Sequence, residues 1–187
     1  MVRENPQALF DGILAAVALW AAWVPGRGMP ALRLGATLLG VAALLGALRF
    51  SGLMPLPQLH QTMSMLGASV GLPLLGVSMA WPAGAVARQR RYAWIFGVAL
   101  AVMCILIAVL AGVALWPSAC ALLAVLTMLG TSVARRQWVG VAAAACMLAA
   151  LLSFVAKLSP GPLLPGDLLY IGLAAGLALY GKWAASA

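Results

Sequence analysis

The chain has 187 residues, 65% of them hydrophobic and only 7% charged, with a mean hydropathy of +1.09 and a formal net charge of +8. A soluble domain is about a quarter charged, so this chain has too little polar surface to face water. The lipid bilayer is its expected solvent and first partner. The basic charge does not point to nucleic acid, because the arginines form short clusters between apolar runs, the pattern that encodes membrane topology.

The first run, Ala8 to Val24, carries Asp11 about one turn in. Glu4 and Asp11 lie before or within it and no clear A-x-A site follows, so it reads as a retained span and not a cleaved leader. Pro25-Gly26 ends it, with Arg27 and Arg33 flanking the turn. The second span is Leu32 to Phe50, where Gly35, Gly40 and Gly46 permit close helix approach. A turn at Ser51-Gly52 and Pro55-Leu56-Pro57 leads to the third span, about Gln58 to Trp81. There Gly67 and Gly71 make a G-x-x-x-G face, and Pro73 is expected to kink the helix.

Pro82 to Arg91 is the most basic loop, holding Arg88, Arg90 and Arg91. A featureless fourth span, Trp94 to Trp116, precedes Pro117 and a short fifth, Ser118 to Ala134. After Arg135 and Arg136 comes the sixth, Trp138 to Leu158, with Lys157 at its end. The seventh runs from Asp167 to about Trp183 and has a second G-x-x-x-G face at Gly172 and Gly176. Each run is near the ~20 residues that cross a bilayer, and backbone amides cannot go unpaired in hydrocarbon, so all should be helices. The predicted fold is all-α: a polytopic integral membrane protein, one bundle of seven transmembrane helices over residues 1–187.

Charge counting sets the orientation. Arg27, Arg33, Arg88, Arg90, Arg91, Arg135, Arg136 and Lys182 fall on one side, against Arg3, Arg49 and Lys157 on the other. The positive-inside rule then puts the N-terminus outside and the C-terminus in the cytoplasm. Trp20, Trp23, Trp81, Trp94, Trp138 and Trp183 lie at the predicted inner ends, where amphipathic rings favour the interface. The Ala/Leu/Gly-heavy, lysine-poor usage points to a GC-rich bacterium, hence a bacterial inner (plasma) membrane.

A shift of 108 positions brings Arg27 onto Arg135, Arg49 onto Lys157, Ser51 onto Ser159, Leu56 onto Leu164 and Pro57 onto Pro165. The shared basic-x-Ser-x5-Pro pattern suggests a parallel 3+1+3 repeat about an axis along the membrane normal, with halves 8–81 and 118–183 and a linker helix 94–116. The alternative is two unrelated Pro/Ser turns, each after a snorkelling base. The layout resembles that of sugar-transporting SWEET-type proteins, and seven-helix proteins generally, in architecture alone. Pro57-Gln58 does not lie within the first span of a triple-helix unit, as a PQ-loop motif would, so membership of that family is not implied.

Asp11, Arg49, His60, Lys157 and Asp167 all fall near outer span ends. Together they could form an outward-facing pocket, because ionisable groups within a membrane tend to pair or face a cavity. Arg49 is the expected partner of Asp11, since the first two spans must pack antiparallel and a guanidinium can grip a carboxylate with two bonds. The bland alternative is that Arg49 and Lys157 snorkel to headgroups while the acids sit at helix N-termini, where the dipole favours anions.

Other chemistry is thinner. His60, Met63 and Met65 are weak candidates for a soft-metal site, with thioethers suited to Cu(I). A seven-helix zinc hydrolase resembling the alkaline ceramidase group would need several histidines, and this chain has one. No H-E-x-x-H or phosphate-binding Gly loop occurs. Cys104, Cys120 and Cys146 lie within apolar runs without C-x-x-C spacing and read as packing residues. The residues name no cofactor and show no catalytic constellation. The leading expectation is a protein that recognises or moves a small molecule or ion through an outward-facing polar pocket. The alternatives are a structural or accessory subunit, whose G-x-x-x-G faces dock a membrane-protein partner or a second copy, and a membrane-embedded lipid-active enzyme.

Overall fold

The structure, a computed structural model, describes residues 6–54, 56–158 and 163–186. Among these residues the only regular structure is helical, with 7 helices long and apolar enough to cross a membrane. They are α1 (Pro6–Trp23), α2 (Pro30–Phe50), α3 (Pro57–Ala80), α4 (Arg90–Leu110), α5 (Trp116–Ala134), α6 (Trp138–Val155) and α7 (Pro165–Ser186). A single helical turn, Ala85–Arg88, stands in the basic loop before α4.

Proline punctuates the starts. Pro30, Pro57, Pro117 and Pro165 each occupy the first or second helical position, where a missing N–H costs nothing. Left-handed residues mark several ends: Gly52 (φ 78°) after α2, Gly112 (φ 69°) after α4, Arg136 (φ 56°) after α5 and Lys157 (φ 52°) after α6. Two of these are cations near a helix C-terminus, the end whose dipole favours positive charge.

Three local expectations are corrected. Lys157 does not close the sixth span: α6 ends at Val155, and Lys157 is a left-handed residue beyond it. The fourth span is shorter and not featureless, because its last turns, Ile105–Leu110, widen into a π-helical segment, and a loop separates it from α5. The disturbance expected at Pro73 is a π-helical segment, Gly67–Gly71, just ahead of the proline. Pro73 cannot donate to the carbonyl four residues back, so the ladder must adjust around that gap.

Six helices form a closed ring in the order α1, α2, α3, α5, α6, α7 and back to α1. The main core fills this ring with small and branched side chains, among them Leu14, Leu32, Leu75, Val125, Met128 and Leu177. Helix α4 lies outside, against α2 and α3, over a satellite cluster of Ala31, Val70, Leu74 and Ala93. Only 17% of the α4 window is buried within the protein, against 61% for α3.

Glycine sets the tightest seams. A Cβ at Gly35 would lie 2.6 Å from the Gly71 carbonyl oxygen across α2 and α3, and one at Gly176 would lie 2.8 Å from the Ala143 carbonyl oxygen across α6 and α7. Both G-x-x-x-G faces are therefore occupied within the chain: Gly67 and Gly71 against α2, Gly172 and Gly176 against α6. The starts of α2 and α6, and of α3 and α7, are each separated by the same 108 positions. The residue equivalent to Ser51, Ser159, lies outside the described residues.

Candidate functional site

Asp11 lies in the second turn of α1 and is fully buried. The residue facing it on α2 is Gly46. A Cβ at Gly46 would come within 2.7 Å of the Asp11 Cγ and 2.9 Å of the His60 Cε1. The missing side chain is what makes room for a carboxyl and an imidazole at one place between α1, α2 and α3.

His60 stands in the first turns of α3 and is buried. Its Nδ1 lies 3.3 Å from the Ala42 carbonyl oxygen of α2. A carbonyl can only accept, so Nδ1 is the donor in this contact and Nε2 is left for another partner. The Phe50 ring meets the imidazole edge-on, with centroids 5.8 Å apart, and fixes its orientation.

Asp167 opens α7 and is also fully buried. Its Oδ2 accepts the Leu164 backbone N–H at 2.8 Å, which serves one of the donors left over at a helix start. Asp167 is near enough to Asp11 for the two carboxyls to interact electrostatically, and Tyr170, one turn along α7, is within reach of both acids and of Arg49. Both Asp11 oxygens and the Asp167 Oδ1 are buried with no hydrogen-bond partner among the described residues.

Two cavities flank this group. One, of about 380 Å³, is lined by Arg49, His60, Gln61, Ser64 and Tyr170 against apolar residues that include Leu14 of α1. The other, of about 600 Å³, is lined by Gln7, Lys157 and Gly166 among others. Ser118, Phe154 and Tyr170 line both and form the shared wall. Asp11 and Asp167 line neither. Each sits about one turn from a residue that does, Leu14 for Asp11 and Tyr170 for Asp167.

The five residues singled out from sequence thus divide. Asp11, His60 and Asp167 are buried, Arg49 joins His60 on the first cavity, and Lys157 is on the second. The expected Asp11–Arg49 ion pair does not form. The Arg49 guanidinium lies over the Phe50 ring, 5.2 Å from its centroid, and the side chain is exposed. Gly46, not Arg49, is opposite Asp11, and Arg49 is about one turn nearer the helix end, where it reaches the rim. Met63 and Met65 do not join His60 on the cavity wall. Among the described residues no group of three or more His, Cys, Asp or Glu is arranged to hold a metal ion. Tyr170 was missed from sequence, although its spacing from Asp167 places both on one face of a helix.

Comparison with protein-family models, curated proteins and solved structures gives no match to this chain.

Proposed function

We propose that the end of the bundle bearing Asp11, His60 and Asp167 recognises or moves a small molecule or ion, with Asp11 as its anchor. The observation that carries this reading is the fully buried Asp11 carboxyl, whose two oxygens have no hydrogen-bond partner among the described residues, beside a second buried acid. A buried polar group without a partner costs on the order of 1–3 kcal/mol, and more when charged. Such a group is retained where an occupant, a proton or a cation, completes it. The occupant that fits two carboxyls and an imidazole acceptor is a small cation or a cationic amine. Arg49 and Lys157 at the cavity mouths then act against a second positive charge.

By the eight-to-three distribution of basic residues this end faces outward from a bacterial inner membrane, with the C-terminus in the cytoplasm. The six-helix ring fits a parallel repeat, because a half-turn that takes α1 to α5, α2 to α6 and α3 to α7 preserves every neighbour. The accessory-subunit reading retains one supporting observation, the mostly unburied α4. Its docking faces would have to be there, since both G-x-x-x-G faces are filled from within.

The test is thermal unfolding of the purified protein in detergent with a panel of alkali cations and small primary and quaternary amines. A ligand at this site should raise the melting temperature of the natural chain and leave Asp11→Asn unmoved. Equal shifts in both proteins, or none across the panel, would remove the reading.

A further inference from the structure

At the opposite end of the bundle lies a groove of about 420 Å³ between the α1–α2 turn and the start of α4. Arg27, Arg33 and Arg90 line it, together with Trp23, Trp94 and Thr37. We propose that this groove binds the phosphate of an anionic phospholipid headgroup.

Three observations support it. The first is uncompensated charge. The chain has 3 acidic residues: Asp11 and Asp167 are at the other end of the bundle, and Glu4 precedes α1, far along the sequence from this turn. No carboxylate of the described residues is available to this trio, so the charge of the three guanidinium groups is left for a ligand to neutralise.

The second is preorganisation. The Arg33 guanidinium lies over the Trp23 ring, 4.2 Å from its centroid. Arg27 donates from Nε to the Trp23 carbonyl at 3.0 Å. Stacking leaves the N–H edges of Arg33 unused, and the Nε bond leaves the terminal N–H groups of Arg27 unused, which is the fork that a phosphate accepts. Arg90 opens α4, where the cap residue Gln89 makes no side-chain hydrogen bond. The start of α4 therefore brings the positive end of a helix dipole to the edge of the same hollow.

The third is depth. The groove lies where α1 ends and where α2 and α4 begin, so its arginines stand at headgroup level. Trp23 and Trp94 at its edges are exposed, as interfacial rings are. Leu34 lines its wall, and the exposed Val98, one turn beyond Trp94 on α4, continues it as a path for an acyl chain. A soluble phosphate would use the arginines and leave this apolar path empty, so the lipid is the occupant favoured.

The test uses the full chain in mixed micelles, reading melting temperature against added phosphatidylglycerol, phosphatidylcholine, glycerol phosphate or inorganic phosphate. Phosphatidylglycerol should stabilise and phosphatidylcholine should not. Arg33→Gln and Arg90→Gln should each weaken the apparent phosphatidylglycerol affinity by about tenfold, the loss of a charge-assisted contact. Arg91→Gln removes the same charge one residue away, outside the groove, and should leave the affinity unchanged. If Arg33→Gln does not fold, Arg90→Gln carries the test against Arg91→Gln. Equal losses in Arg90→Gln and Arg91→Gln would reduce the effect to diffuse surface charge and overturn the site. Equal stabilisation by glycerol phosphate or inorganic phosphate would overturn the lipid assignment in favour of a soluble phosphate.

Discussion

The two ends of this bundle treat polar groups in opposite ways. At the arginine-rich end several polar side chains find protein partners: Ser78 and Tyr180 share a buried hydrogen bond of 2.6 Å, Arg88 donates to the Pro82 carbonyl at 2.8 Å and Arg135 to the Met79 carbonyl at 3.4 Å. The buried side-chain atoms without a hydrogen-bond partner there among the described residues, Ser132 Oγ and Gln137 Oε1, are neutral. At the other end two carboxyls are buried and three of their four oxygens have no hydrogen-bond partner among the described residues. An apolar chain with only 3 acids could have left them at the surface. The difference teaches that burial here is not a by-product of packing, since Gly46 is what opens the space that Asp11 fills.

The sharpest test of which end faces which compartment is all-or-none. In intact cells an impermeant thiol reagent should modify a cysteine at Leu158, exposed at the acid end, and fail at one replacing Gln89 in the basic loop. The reverse pattern would invert the orientation and point the acid-bearing end inward.

A paired glycine substitution compares the packing of the two ends. Gly46→Ala drives a methyl into the Asp11 carboxyl and His60, and should lower stability by about 1–3 kcal/mol, as overpacking does. Gly28→Ala meets only the Arg88 guanidinium, 3.8 Å away, and should stay within about 0.5 kcal/mol of the natural chain. Equal effects in denaturant or thermal unfolding would mean that Asp11 is not held against α2. A smaller loss is expected from Tyr180→Phe, about 1 kcal/mol, because Ser78 keeps its bond to the Leu75 carbonyl at 2.9 Å.

Much of this bundle was legible in the sequence because lipid leaves the backbone few options. Every apolar run had to be a helix, and the turn from Ser51-Gly52 to Pro57 marked the end of one and the start of the next, while the start of the second span was expected at Leu32 and lies at Pro30. The ring order was not legible, because Leu and Ala face lipid and neighbouring helices equally well. The fourth span was set apart only as the linker between the two proposed repeat halves, and its apolar composition did not say that it lies outside the ring. The π-helical turn at Ile105–Leu110 has no proline to announce it. At the site, the type and level of Asp11, His60 and Asp167 could be read from their places in the spans. The Asp11–Arg49 pairing failed because sequence gives level along a helix to within a turn, and one turn separates Gly46 from Arg49.

The most direct test of an Asp11 without a protein partner is the melting temperature of Asp11→Asn with no ligand added. The amide keeps the shape of the carboxyl and removes its charge, so the stability of the variant should lie within about 1 kcal/mol of the natural chain, or above it, because no hydrogen bond among the described residues is lost. Breaking a buried ion pair costs about 3–5 kcal/mol. A loss of that size would show that Asp11 is held by a cation of this protein, and it would contradict a site that waits for an occupant.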